Sequence, residues 1–379
     1  MKFLHISDLH LGKRVNEFSM TEDQEYILTK IINIIDETEV QGVLIAGDVY
    51  DKTVPSAEAV ELFDNFLVRL SKRGLRVFVI SGNHDSAERI AFGGRLMDKS
   101  GIYMSPVYNG SVEPISLRDE YGEINIYMLP FIKPQNVKRF FPESDITSYT
   151  DALKTAVDSM KTDTKQRNIL ITHQFVTGAD RTESEDVSVG GTDNVDAAVF
   201  SGFDYVALGH IHRAQKCTGN EYIRYSGTPL KYSFSEAGDK KTVTVIDMKE
   251  KGSISLDFIP LIPKRDMAEI KGNYEELTLK SFWENTSYGE DYMHITLTDE
   301  EDVPDALTKL RVIYKNIMKL DYDNKRTRTM NEIGGAENVR EKTPLEHFCD
   351  FYELQNGQPL SEEQLSFMTE LIEKTGEDR

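Results

Sequence analysis

The stretch VALGHIHRA, Val206 to Ala214, sets two of the chain's eight histidines one residue apart at the end of an apolar run. In a β-strand residues i and i+2 share a face, so beyond a strand Tyr205-Val206-Ala207-Leu208 the side chains of His210 and His212 could aim at one point. That geometry suits a metal ion. It suits a buried or surface pair equally well, so any further ligands have to be sought at the ends of other strands.

They are there. Apolar runs "KFLHI" (Lys2 to Ile6), "GVLIA" (Gly42 to Ala46), "RVFVI" (Arg76 to Ile80), "INIYML" (Ile124 to Leu129), "NILIT" (Asn168 to Thr172) and "DYVALG" (Asp204 to Gly209) read as strands. Between the early ones, Glu22 to Thr38 and Ser56 to Arg73 carry apolar residues at helical spacing, the second through Val60, Phe63, Leu67 and Leu70. Strands alternating with helices make an α/β fold. "SDLHLG" adds Asp8 and His10, "AGDVYD" Asp48 and Asp51, "SGNHD" Asn83 and His84, and "THQ" His173. Open α/β sheets place their sites at the carboxyl ends of strands, so these side chains are expected to converge on one crevice. Singly, Asp8 could cap a helix, Asp48 or Asn83 could serve a turn and His173 could be a core histidine. That ordinary explanation has to be repeated at every strand end.

Imidazole, carboxylate and amide oxygen together suit manganese, iron or zinc better than calcium or magnesium. The ligands gathered at these strand ends exceed what one ion needs. Two divalent metal ions sharing Asp48 as a bridge are the expected cofactors. Two ions about 3.5–4 Å apart clamp phosphate oxygens, so in-line hydrolysis of a phosphoester is the expected reaction.

The chain has 379 residues, 39% of them hydrophobic, which suggests two or three domains. No apolar run has the length to cross a bilayer, and "MKFLHISDLH" meets charge too early for a secretion signal, so a soluble cytoplasmic protein without membrane contact is expected. Cys217 and Cys349 lack zinc spacing and read as reduced thiols. The net charge of −20 argues against a nucleic-acid partner until its distribution is considered. Residues 265–379 hold 26 acidic against 14 basic residues, whereas 201–264 hold 7 against 9. The count therefore leaves room for a basic surface beside the opening motif, and bound metal would add positive charge.

Residues 1–263 read as the catalytic domain and 264–322 as a smaller acidic α/β domain. Residues 323–342, "DNKRTRTMNEIGGAENVREK", have no apolar period and read as a linker. Residues 343–379 read as two helices opened by the capping boxes Thr343-Pro344-Leu345-Glu346 and Ser361-Glu362-Glu363-Gln364. Leu345, Phe348, Cys349 and Tyr352 share one face of the first helix, and Leu365, Met368, Leu371 and Ile372 one face of the second. Either the pair packs back on the main body or it docks on a partner, because so short a segment cannot bury these faces alone.

The ordered series D-x-H, G-D-x-x-D, G-N-H-D, T-H and G-H-x-H, spread over about 230 residues, resembles the calcineurin-like metallophosphoesterase superfamily. The resemblance implies a β-sandwich flanked by helices. It assigns Asp8, His10, Asp48 and His212 to a first metal, and Asp48, Asn83, His173 and His210 to a second. His84 would then face the scissile phosphate and serve the leaving oxygen, with Asp51 orienting its ring. Thr172-His173 departs from the Gly-His of many members, which leaves the ligand in place.

Within the superfamily, "ISDLHLGK", "AGDVYDKTVPS", "SGNHDSAERI", "ALGHIHRAQ" and "YSGTPLKYSF" resemble the bacterial nuclease subunits related to the meiotic recombination nucleases. The likeness continues through "IKGNYEEL" (Ile270 to Leu277), which opens that group's small α/β DNA-capping domain, and "PLEHFCDFYELQNGQPLSEEQ" in the C-terminal helical pair. It implies exo- and endonuclease action on double-stranded DNA ends and hairpins in repair, a homodimer, and docking of residues 343–379 on an ABC-type ATPase. Lys13, Arg14, Arg89, Arg213 and Lys231 stand where DNA phosphates entering the crevice could meet them, though each reads equally as a solvated charge. Tyr108, Tyr232 and Trp283 read as core or surface aromatics rather than stacking platforms. A phosphatase or cyclic-nucleotide phosphodiesterase is the alternative enzyme, against which the extra domain and helices count. A non-catalytic scaffold is the alternative of another class, and it has no chemical need for an intact ligand set.

Overall fold

Phe3, Leu44, Ala46, Phe78 and Ile80 alternate along their strands with Leu4, Val43, Ile45, Val77 and Val79, and the two sets enter different cores. Strands buried on both faces explain the near-continuous apolar runs of the sequence. In the computed structural model, which describes residues 1–182, 184–185, 193–325, 327, 345, 348, 349, 352, 360, 361, 364, 365, 367 and 368, these strands belong to the first of two six-stranded sheets. Its order is Ile254–Pro260, Thr242–Met248, Lys2–Ile6, Gly42–Ala46, Arg76–Ile80 and Ile102–Met104. The last four run parallel and the first two pair antiparallel. The second sheet runs Gln215–Cys217, Asn220–Tyr225, Tyr205–Gly209, Arg167–His173, Gly122–Leu129 and Ile115–Asp119, with the middle four parallel and both edges antiparallel.

The sheets pack face to face. Phe3, Leu44 and Phe78 of one meet Ile126, Ile169, Ile171 and Tyr205 of the other in a shared core. On the outer face of the first sheet lie the helices Thr21–Thr38 and Ala57–Ser71, through Ile27, Ile31, Ile35, Phe63, Phe66 and Leu70. On the outer face of the second lies Tyr149–Ser159, started by a capping box of Ser148 and Asp151 and buried through Leu153, Ala156 and Val157. The expected helix-flanked β-sandwich is the fold. One residue of the predicted helix stripe is corrected: Val60 is 44% exposed, and its neighbour Ala59 is buried instead. A Cβ added at Gly12 would lie 3.1 Å from the Ala59 Cβ, so the chain beyond the first motif leaves room only for a small side chain there.

The smaller α/β region is a three-stranded sheet of Met267–Gly272, Tyr292–Leu297 and Asn316–Tyr322 with the short helices Tyr274–Thr278, Lys280–Trp283 and Ala306–Leu310. Buried Asp23 ties it to the helix Thr21–Thr38, accepting from Arg265 and from the Tyr292 hydroxyl at 2.7 Å each. Contacts group the chain into one unit of 1–296 with 304–321 and a second of 297–303 with 322–379. In the second unit the box at Ser361 forms in both directions: Ser361 N–H donates to Gln364 Oε1 at 2.9 Å and Gln364 N–H to Ser361 Oγ at 3.3 Å. The Thr343 box, Leu371, Ile372 and most of the 323–342 linker lie outside the described residues. Among the described residues no helix is long and apolar enough to cross a membrane.

Candidate metal centre

The carboxyl ends of both sheets meet at one edge. A Cβ on Gly209 would lie 1.9 Å from the Ala46 carbonyl oxygen, and one on Gly82 2.1 Å from Asp48 Oδ1, so both positions exclude side chains. Just past the strands the backbone enters the left-handed region at Asp8 (φ 54°), His10 (44°), Asp48 (49°) and His210 (107°). Such conformations cost energy in non-glycine residues and gather at functional sites. All four are expected ligands.

Two groups form around one carboxylate. His10 Nε2 is 3.1 Å from His212 Nε2 and 3.7 Å from Asp48 Oδ2, and Asp8, His10 and His212 bring ligand atoms within 4.8 Å of one another. On the other side Asn83 Oδ1 meets His173 Nε2 at 2.9 Å and His210 Nδ1 at 3.0 Å, while His173 Nε2 is 3.3 Å from the same Asp48 Oδ2. The reading of His210 and His212 as aiming at one point is thereby corrected. The positive φ of His210 breaks the strand's alternation, and the two rings serve different sides of Asp48.

This donor set fits cations. Burial forces His10 well below its ordinary range and His210 down to about 3, so both present neutral nitrogens. Burial also raises Asp8 to about 6. For Asp48 burial pushes upward, but the charge and hydrogen bond of His173 outweigh it and hold the carboxyl below the usual range. His173 shows the converse: burial would lower it, yet Asp48 and Asp8 hold it up at about 9. Crowded carboxylates and lone pairs buried without solvent are stabilised by positive charge at their centre, which divalent ions supply.

His84 is half-buried against His10, ring centroids 4.9 Å apart, and its backbone N–H donates to Asp48 Oδ1 at 2.9 Å. Its Nδ1 lies 3.1 Å from the backbone carbonyl of Asp51. Asp51 thus meets His84 through its main chain, while its carboxylate accepts from Lys13 Nζ at 2.7 Å. Asp85, which closes the G-N-H-D motif and to which the sequence reading gives no role, fixes both ligand loops. Its buried carboxylate accepts from the N–H groups of Val49 (3.1 Å), Tyr50 (2.9 Å) and Gly82 (2.9 Å). Burial, then the charge of Asp48, push Asp85 up to about 6 against those three donors.

Tyr108 and Tyr232 are core aromatics as expected, and Trp283 is half-buried. Tyr232 does more than fill space. Its hydroxyl donates to the Leu9 carbonyl at 2.6 Å and its ring stands edge-on to His10 and His212. Across the site Phe131 stacks on His210, and Phe175 carries the Arg181 guanidinium 3.6 Å over its face. Of the basic residues, Arg89 is exposed, and Arg14 is exposed and donates to the Glu17 carbonyl. Arg213 pairs with Asp239 at 3.0 Å. Lys231 is held by the Ala237 carbonyl at 2.6 Å and Asp266 at 2.8 Å. Beside Lys13 and Tyr232 opens a cavity of about 610 Å³ whose far wall carries His294 and Lys319 from the small sheet.

A profile of the calcineurin-like phosphoesterases matches residues 1–214, and one described as the type 5 capsule protein repressor C-terminal domain matches 263–356. The D subunit of nuclease SbcCD from Staphylococcus epidermidis is 33% identical, covering 84% of this chain and 85% of its own. Its counterpart from Staphylococcus saprophyticus is 32% identical over 99% of both chains. A dimetal phosphatase from Danio rerio superposes with a TM-score of 0.42 at 10% identity, covering 69% of this chain and 96% of that one.

Proposed function

The chain belongs to the calcineurin-like phosphoesterase family, and from that premise we propose that it is a metal-dependent DNA nuclease subunit, cleaving phosphodiester bonds at double-strand ends and hairpins beside an SbcC-type ABC ATPase. The observation that carries the reading is Asp48 Oδ2 standing 3.7 Å from His10 Nε2 on one side and 3.3 Å from His173 Nε2 on the other. Asp8, His10, Asp48 and His212 would hold one ion, and Asp48, Asn83, His173 and His210 a second, with manganese the metal we favour. Two ions at such a site polarise a phosphodiester and activate water. His84, its Nδ1 on the Asp51 carbonyl, would give a proton to the leaving oxygen through Nε2. Asp85 keeps the loops of Asp48 and Asn83 in register. Phe131, Phe175 and Tyr232 pack against the ligand rings.

Double-stranded DNA would approach across Arg14 and Arg89, with Lys13 beside them and Lys319 on the wall of the neighbouring cavity; the ion pairs of Lys13, Arg213, Lys231 and Lys319 give those four a structural duty as well. We place the catalytic domain at 1–263, the capping domain at 264–322 and ATPase docking at 343–379, where Leu365 and Phe367 are 40% and 65% exposed. Phe92 and Leu96, 84% and 83% exposed, support a homodimer interface. A cytoplasmic location suits a DNA substrate. The test is digestion of end-labelled duplex and hairpin DNA with manganese, with and without the ATPase. Metal-dependent shortening or nicking of these DNAs is expected. Cleavage confined to small phosphomonoesters would return the alternative, a phosphatase.

A further inference from the structure

His212 differs from the other ligand histidines in what stands behind it. Its Nδ1 lies 2.6 Å from Ser184 Oγ, and that hydroxyl donates to Glu236 Oε1 at 2.6 Å. Glu236 is fully buried and paired with Lys241, itself 6% exposed. Lys241 and two neighbours also grip the His212 main chain: Lys241 Nζ donates to its carbonyl at 2.9 Å, the Thr228 N–H donates to that oxygen at 3.0 Å, and the His212 N–H donates to Glu185 Oε1 at 2.6 Å. Every polar atom of His212 is therefore held from behind except Nε2, which faces His10 Nε2 at 3.1 Å across the proposed metal position. By contrast His173 rests its Nδ1 on the neutral Ala46 carbonyl at 2.8 Å, His210 turns Nδ1 itself toward Asn83, and His10 Nδ1 makes no hydrogen bond among the described residues, the Asp51 carboxylate standing off at 3.7 Å.

We propose that Ser184 and Glu236 are positioning residues that set the metal affinity of the Asp8–His10–Asp48–His212 position selectively, by fixing the tautomer of His212. The inference rests on the two-ion reading above. The chain of donors has one direction. Glu236, held as an anion beside Lys241, can only accept; Ser184 therefore gives it the hydroxyl proton and offers its own lone pair to Nδ1. His212 must then carry its proton on Nδ1 and present the bare Nε2 to the ion. A carboxylate behind a ligand imidazole orients the ring and strengthens it as a donor, and losing such a partner typically costs about 10–100-fold in metal affinity. Buried Glu236 and Lys241 thus stabilise one of two neighbouring positions and leave the other to main-chain support.

Ser184 is the cleaner residue to change, because its removal leaves the Glu236–Lys241 pair intact. The metal-free full-length protein is titrated with Mn²⁺, unbound ion being read by electron paramagnetic resonance. The wild type should show two steps. His210→Ala, which removes a ligand from the other position only, identifies which step belongs to the His212 position. Ser184→Ala should weaken that step about 10–100-fold and leave the other in place. Ser184→Thr, which keeps a hydroxyl, should restore it, with unchanged thermal unfolding in both Ser184 variants. Glu236→Gln should follow Ser184→Ala. Unchanged steps in Ser184→Ala, equal weakening of both, or failure of Ser184→Thr to restore affinity would overturn the proposal. A wild type that takes up no ion would instead defeat the two-ion reading on which it stands.

Discussion

Replacing Asp85 should loosen the centre without touching a ligand. Its carboxylate is the common acceptor of the Val49, Tyr50 and Gly82 N–H groups, at 3.1, 2.9 and 2.9 Å. Val49 and Gly82 are buried, while Tyr50 is half-buried and its N–H can reach water. A buried N–H left without an acceptor costs about 1–3 kcal/mol, so Asp85→Ala should destabilise the protein by about 2–6 kcal/mol. That is a large share of the roughly 5–15 kcal/mol that holds a domain folded. Asp85→Asn keeps one oxygen, which can still serve Val49 and Gly82, and turns an amide donor toward the Tyr50 N–H. Its cost should be about 1–3 kcal/mol. Urea unfolding of the metal-free protein reads both values from midpoint and slope. Because the stapled loops carry Asp48 and Asn83, Mn²⁺ affinity should fall in the same order, alanine below asparagine below wild type. An alanine variant within about 0.5 kcal/mol of wild type, the range of an ordinary surface change, would refute the stapling role.

His84→Ala should retain both ions and DNA binding while losing about 10²–10⁴ in rate, the usual worth of a positioned acid or base; loss of an ion would move His84 into the ligand set. Truncation after Lys342 should leave hydrolysis of a small chromogenic diester intact, since every proposed ligand precedes Arg213, and should abolish co-purification with the ATPase. Phe348→Glu should reproduce the second effect by setting a charge in the apolar contact, and loss of diester activity on truncation would assign the helices to the protein's own core.

The strands and proposed ligands are legible in the sequence because both are written locally. A strand buried on two faces is an apolar run, and a ligand is a histidine, carboxylate or amide at its end. What is not legible depends on partners far away in sequence. Asp85 stands in the G-N-H-D motif, but its role shows only when Val49 and Tyr50 arrive from another loop. Tyr232 reads as a core aromatic, and its place beside His10 and His212 needs strands more than two hundred residues apart. Val60 and Ala59 exchange places because a helix stripe can shift by one residue when a loop, here at Gly12, needs close approach. Lys231 reads as a phosphate contact from its nearness to a motif, but Asp266 across the cleft engages it. The side chain of Asp51 is expected at His84 by analogy, whereas the turn presents its carbonyl and leaves the carboxylate to Lys13.

The most direct measurement of the centre is the anomalous scattering of manganese in crystals of the wild-type protein. Two peaks about 3.5–4 Å apart are expected, both within bonding distance of Asp48, one bordered by His10 and His212 and the other by Asn83, His173 and His210. A single peak, or two peaks of which one is bound by His84 and neither is shared by Asp48, would contradict the two-ion phosphodiesterase.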